Sequence, residues 1–256
     1  MKIIDSHVHL DNLKFPILSA AKNDLLKQLE ISKIEFAFLL HLDWQGWNVQ
    51  EFYDEFSSTK EIYQFVNLNP SSQNISNDLV HAFHDLNYWG VKLHPRFHNF
   101  SVSDRNVYEI SKFAGQLRKP VLIDVFPDET YLKLKLEPLD FYNLAKENPE
   151  TNFIWAHFGG HKILDFLMLG RKLKNVYFDI SFSLLYYRTS SVLKDFIFSL
   201  ENIRYERVLY GSDFPDRSIE KSIDMTTKIL ESFEISESDK LKLFYSNAMN
   251  LIELSI

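Results

Sequence analysis

Near its start the chain reads Ile3-Ile4-Asp5-Ser6-His7-Val8-His9-Leu10, two histidines two residues apart behind an apolar run. Side chains alternate between faces along a strand, so His7 and His9 project to the same side. Two neutral imidazoles from one strand end suit a single metal ion, since imidazole is a preferred ligand of zinc and its neighbours. The spacing alone is weak evidence, because nine histidines in 256 residues generate it by chance often enough. Its weight comes from its place at the C-terminal end of a first strand, where α/β barrels build their sites. The absence of cysteine removes disulfides, Zn–Cys sites and a thiol nucleophile, leaving histidines and carboxylates for metal binding or nucleophile activation.

Eight short apolar runs could position such residues: 3–7, 36–41, 63–68, 90–94, 121–125, 152–157, 176–180 and 207–211. Most lack polar alternation, as expected of parallel strands covered on both faces. Amphipathic segments at 24–31, 106–117, 162–173 and 192–200 repeat apolar residues at helical spacing, and Lys119-Pro120 and Asn148-Pro149 lead into strands five and six. The alternation predicts a (β/α)8 TIM barrel, one domain over 1–256. The tail from Ser236, an N-cap, to Ile256 reads as extra C-terminal helices broken near Ser246-Asn247.

Composition narrows the function. Apolar content of 45% and charged content of 25% are those of a globular chain, and no run approaches the roughly 20 apolar residues of a membrane span. No export signal is visible, so a cytoplasmic location is expected. A net charge of −7 argues against nucleic acid and leaves a small molecule as the expected partner. The barrel reading then gathers His7, His9, His41, Asp43, Lys92, His94, Arg96, Asp124, His157, Ser181 and Asp213 on one rim, each at or just after a strand end. Any one of them is more often a cap or a satisfied hydrogen-bonder; their joint occurrence points to a metal site on His7, His9 and Asp213.

With these residues in place the chain resembles the amidohydrolase superfamily, and within it the amidohydrolase-related (amidohydrolase 2) family that includes aminocarboxymuconate semialdehyde decarboxylase. The likeness is carried by Ile3–His9, Gly90-Val91-Lys92-Leu93-His94-Pro95, Ala156-His157-Phe158-Gly159-Gly160, Tyr210-Gly211-Ser212-Asp213-Phe214-Pro215 and Ser246-Asn247-Ala248. It implies His7 and His9 as metal ligands, His157 as ligand or water-orienting acid/base, and Asp213 as ligand and proton shuttle. One departure stands out. Metal-binding members usually carry a histidine at the end of strand five, where this chain has Asp124; the carboxylate could ligate instead, support a ligand, or mark a metal-free site.

The segment from Lys92 is similar to one in dihydroorotases whose carboxylated lysine bridges two metals; a cationic Lys92 that pairs with Asp124 or holds a substrate carboxylate is preferred here. His94, Arg96 and His98 extend a positive rim. Trp44, Trp47, Tyr186, Tyr187 and Arg188 offer an apolar wall for a planar or carboxylated ligand, or a contact between two copies in a homodimer. The expectation is a hydrolase using one divalent ion, zinc or manganese, which acidifies bound water and polarises a carbonyl of a small carboxylated substrate. Non-oxidative decarboxylation of an aromatic or enol acid is the enzymatic alternative. A metal-free lactonase or non-catalytic ligand-binding barrel is the other.

Overall fold

A computed structural model describes residues 2–255. Eight strands, β1 (Ile3–Val8), β2 (Ile34–Leu40), β3 (Ile62–Asn67), β4 (Gly90–Leu93), β5 (Val121–Asp124), β6 (Phe153–Ala156), β7 (Val176–Asp179) and β8 (Val208–Leu209), pair in parallel in sequence order. Helices between them complete a (β/α)8 barrel. Every strand expected from the sequence is present, with ends shifted by a residue or two, which leaves β8 only two residues long. That strand is short because Arg207 turns left-handed (φ 58°) just before it and Tyr210 N donates to Leu243 O beyond it. The Arg207 guanidinium meanwhile caps the carbonyls of Arg171, Leu173 and Val176.

The helical expectations hold in position, with Leu18–Ile31 beginning earlier than its apolar periodicity suggests and Ile163–Gly170 ending sooner. In the tail the Ser236 side chain accepts from Asp239 N, and the helices Glu237–Leu241 and Asn247–Leu254 are interrupted by a π-turn at Lys242–Ser246; Ile256 lies outside the described residues. Ala248, Leu251 and Ile252 of the last helix join the barrel interior beside Trp89, so this helix plugs the N-terminal end.

The barrel interior is layered by side-chain alternation. Ile4, Phe38, Leu40, Phe65, Leu122, Ile154, Tyr177 and Leu209 fill it with apolar volume, while the alternate residues of the same strands pack outward against the helices. Two positions further along β5 and β7, the same inward face carries Asp124 and Asp179; on β4 it carries Lys92, two beyond Gly90. The apolar floor thus ends in a charged layer at the C-terminal mouth.

The seam between β8 and β1 closes by backbone bonds rather than a long ladder. Ser6 N donates to Tyr210 O (2.9 Å), Asp213 N to His7 O (2.9 Å) and His9 N to Phe214 O (2.8 Å). Buried Asp5 ties both sides together, its Oδ1 accepting from Ser212 N (2.8 Å) and His7 N (3.2 Å). Gly211 is required at this seam because a Cβ there would sit 2.6 Å from the His7 Cβ.

Asn247 clamps the last helix to the seam by donating to the carbonyls of Tyr205 (2.7 Å) and Val208 (2.8 Å). Asn247→Ala strands both carbonyls in a buried setting and lowers the unfolding free energy by about 1–3 kcal/mol; urea denaturation with an unchanged m-value is the check.

Candidate metal centre

Strand geometry delivers the two histidines in fixed tautomers. The His9 Nδ1 lies 3.0 Å from the Leu40 carbonyl, which only accepts, so Nδ1 carries the proton and Nε2 a free lone pair. His7 Nδ1 donates to Asp179 Oδ2 (2.6 Å), and its Nε2 is buried without a hydrogen-bond partner. Burial keeps both rings neutral: it holds His7 well below the ordinary histidine range and, with Lys92 adding repulsion, brings His9 to about 3.

The two bare nitrogens share Asp213 Oδ1, at 3.3 Å from His7 Nε2 and 3.6 Å from His9 Nε2. Ligands about 2.0–2.2 Å from a tetrahedral ion lie roughly 3.4 Å from one another. His7, His9 and Asp213 therefore form a donor set that fits one divalent ion. Asp213 reaches it from a left-handed backbone (φ 57°), a conformation a non-glycine residue holds only where its surroundings impose it.

A second histidine–carboxylate group, His7, His157 and Asp179, lies beneath the first. Its atoms are already bonded to one another through Ser181, whose N and Oγ donate to Asp179 (2.6 and 2.8 Å) and whose carbonyl accepts from His157 Nδ1 (3.1 Å). His157 opens a left-handed run with Phe158, Gly159 and Gly160. Its Nε2 points at Asp124 Oδ2 (3.2 Å). Burial works to lower its pKa, but Asp124, Asp213 and Asp179 together raise it above the usual histidine value.

Asp124 is almost completely enclosed and gives both oxygens to Arg96, at 2.7 Å to Nε and 2.8 Å to Nη2. Despite the opposing effect of burial, Arg96 and His94 keep it well below the ordinary carboxylate range. Arg96 also binds Asp128 through Nη1 (2.5 Å), so its cation is matched by two carboxylates. His94 Nε2 stands 3.5 Å from Asp124, with its ring edge-on to Trp44, which stacks on Phe97. Lys92 is 1% exposed and has no carboxylate within ion-pair distance among the described residues; burial lowers its pKa against the pull of Asp124, Asp213 and Asp179.

The structure thus gathers His7, His9, Asp213, His157, Asp124, Lys92, His94 and Arg96 at the mouth, with Trp44 beside them. It does not bring Arg188 there by any contact: that side chain donates to Leu185 O one helical turn back. Trp47 is buried, its carbonyl accepting from His41. Sequence reasoning missed Asp179, Asp5 and the aromatic pair Phe126 and Phe182, which flank His157 edge-on at 5.9 and 6.1 Å. A signal for Asp179 existed: a lone carboxylate ending Val176-Tyr177-Phe178 on a strand covered on both faces needs a buried partner.

A parallel eightfold barrel thus carries, at one mouth, a His-x-His pair from its first strand and an aspartate from beyond its last, a group that could hold a metal ion. The amidohydrolase family model matches residues 50–254, about four-fifths of the chain, and the chain belongs to that family as an enzyme of amidohydrolase type. No curated protein matches by sequence. Among solved structures, an uncharacterized TIM-barrel protein from Bordetella bronchiseptica superposes with a TM-score of 0.81 at 15% identity, covering 100% of this chain and 99% of that one. A probable 2-pyrone-4,6-dicarboxylic acid hydrolase from Acinetobacter baumannii with citric acid bound gives 0.72 at 16% identity, covering 99% and 100%. An amidohydrolase from Burkholderia multivorans with bound Zn gives 0.70 at 13% identity, covering 99% of each chain.

The neutral state of His9 has a consequence for stability. Its pKa is depressed in the folded chain, so the unfolded chain takes up a proton first as pH falls below about 6.5, and stability drops until about pH 3. Between pH 7 and pH 5, chelator-treated protein should lose about 2 kcal/mol more than a His9→Gln variant treated identically. Paired urea titrations at the two pH values measure that difference.

Proposed function

We propose that the protein is a divalent-metal-dependent hydrolase of a small carboxylated carbonyl compound, an amide, lactone or ester, using His7, His9 and Asp213 as ligands. The observation that carries this reading is the convergence of two unprotonated imidazole nitrogens and one carboxylate oxygen, with the Nδ1 atoms already committed to protein acceptors. A bound divalent ion supplies Lewis acidity toward a carbonyl and acidifies a water molecule. Zinc suits the donor set and is the ion in the Burkholderia multivorans relative; manganese suits it as well.

The chain's own groups divide the proton work. Burial raises the Asp213 carboxyl above its ordinary value, against the pull of His157 and Lys92, which makes it a better proton acceptor at neutral pH than an exposed aspartate. His157, with acceptors at both ring nitrogens, is stabilised as a cation and can return a proton to a leaving group. Lys92, unpaired and turned inward, offers a positive charge to an oxyanion or substrate acid. Asp124 supports this arrangement through His157, and its bidentate hold by Arg96 favours that role over direct ligation.

Decarboxylation is the second reading, and one observation favours it. Asp124 and Asp43 would repel a carboxylate near the ion, yet Arg96 neutralises the first and His98 bonds the second (2.9 Å). Hydrolysis is preferred because His157 and Asp213 provide a donor and an acceptor of protons on one site. Assaying lactones, amides and hydroxybenzoates with zinc- or manganese-loaded protein separates the two: carbon dioxide release without lactone or amide turnover would reverse the choice.

The ligand assignment makes its own prediction. Elemental analysis should find about one equivalent of divalent ion in the wild type and a clear loss in His9→Ala, and equal metal in both would sink the site. Asp213→Asn should lower kcat by about 100- to 10,000-fold, the usual worth of a positioned acid or base.

A further inference from the structure

The loops that lead into β7 and β8, residues 171–175 and 203–207, lie at the N-terminal end of the barrel, opposite the metal centre. Between them is a cavity of about 490 Å³, lined chiefly by Arg171, Lys172, Arg204 and Arg207 with Asn202 and Glu206. A chain whose net charge is −7 thus gathers four cations around one hollow, against a single carboxylate. Among the described residues, the arginines joined to carboxylates are Arg96, Arg105 and Arg217, and none of these four cations forms such an ion pair. A concavity lined by one sign of charge focuses its field on an incoming counter-ion.

Two of the four are built into the fold. Arg207 donates to three backbone carbonyls, which satisfy its hydrogen bonds without neutralising its charge. Burial lowers its pKa, with only Tyr177 and Glu206 acting against that. Arg171 reaches Asn202 Oδ1 through Nη1 (3.4 Å), and its Nε is buried without a hydrogen-bond partner. Lys172 and Arg204 are exposed and keep their donors for a ligand. The backbone carries a second mark. Arg204 (φ 54°), Tyr205 (φ 58°) and Arg207 (φ 58°) are all left-handed, and the Asn247 bonds to the carbonyls of Tyr205 and Val208 hold that turn in place. Non-glycine residues keep such conformations only where their surroundings impose them, and they cluster at binding sites.

We propose that this hollow binds a pyrophosphate group, free or carried by a nucleotide, at a second site separate from the metal centre. Charge sets the class. Four cations against one carboxylate leave an excess of three positive charges. A monophosphate brings at most about two negative charges, and a pyrophosphate group one more. Guanidinium forks suit phosphate oxygens, and a pyrophosphate concentrates its charge within the short span set by side chains that are neighbours in sequence, 171 with 172 and 204 with 207. The volume lies within the range of about 300–1,000 Å³ usual for small-molecule sites. The site is independent of the reaction proposed above, since none of its residues belongs to the C-terminal mouth.

Calorimetry with inorganic pyrophosphate is the test. The wild type should show saturable binding that weakens as salt is raised. The double variant Lys172→Gln/Arg204→Gln removes two exposed cations and leaves Arg207 on its carbonyls; it should bind about 10- to 100-fold more weakly, the usual worth of charged hydrogen bonds. Glu206→Gln removes the opposing carboxylate and should bind about 2- to 5-fold more tightly, and it decides the matter if the double variant does not fold. Binding should persist in His9→Ala, because it does not use the metal centre. Citrate, a compact anion without phosphate, should bind at least about 10-fold more weakly than pyrophosphate. ADP identifies the source: tighter binding than pyrophosphate assigns a nucleotide, and equal or weaker binding assigns the pyrophosphate group alone. No saturable binding by the wild type, equal affinity in the double variant, weaker binding by Glu206→Gln, loss in His9→Ala or a preference for citrate overturns the proposal.

Discussion

The arrangement depends first on how the barrel closes. β8 is only two residues long, so little ladder is available to hold it to β1. The Asp5 carboxylate does that work by accepting from amides on both sides of the seam. Such hydrogen bonds contribute about 0.5–1.5 kcal/mol each. They are obtained at a price in desolvation, since burial pushes the Asp5 carboxyl up to about 7. Once the seam is fixed, Asp213 N must meet the His7 carbonyl, and the carboxylate of one end of the chain faces the imidazoles of the other.

The charged layer above this seam is organised into pairs that differ in purpose. Asp124 and Arg96 form a bidentate, nearly dry pair, and Asp179 is satisfied by His7 and Ser181. Such groups orient others and have little capacity left for a ligand. Asp213, the two Nε2 atoms and Lys92 are incompletely matched among the described residues. In a folded interior an unmatched polar group is costly, so its presence at a rim marks where binding free energy is to be gained.

The sequence makes the barrel and half of its site legible. The strand runs are apolar on both faces, which few other elements are, and the rim residues follow from counting to the end of each run. His7, His9 and Asp213 could be placed together because they lie at or shortly after the ends of the first and last strands. Arg96 and Arg188 could not, because local backbone decides where a long side chain reaches: Arg96 turns to a carboxylate on the next strand, and Arg188 folds back onto the helix that precedes it. Phe182 was hidden for a similar reason, its orientation being set by a positive φ that no motif announces. Asp179 was concealed inside an apolar run, where alternation gives no contrast.

His157, Asp213 and Phe182 all occupy the left-handed region that favours glycine. Each such residue carries strain of about 1–3 kcal/mol. At these positions a glycine would relax the backbone while erasing an imidazole, a carboxylate or a ring. Selection for robustness and selection for activity therefore pull in opposite directions at the same codons. A lineage released from the need for its reaction would be expected to keep the barrel and lose these three side chains early, gaining thermal tolerance as it does so.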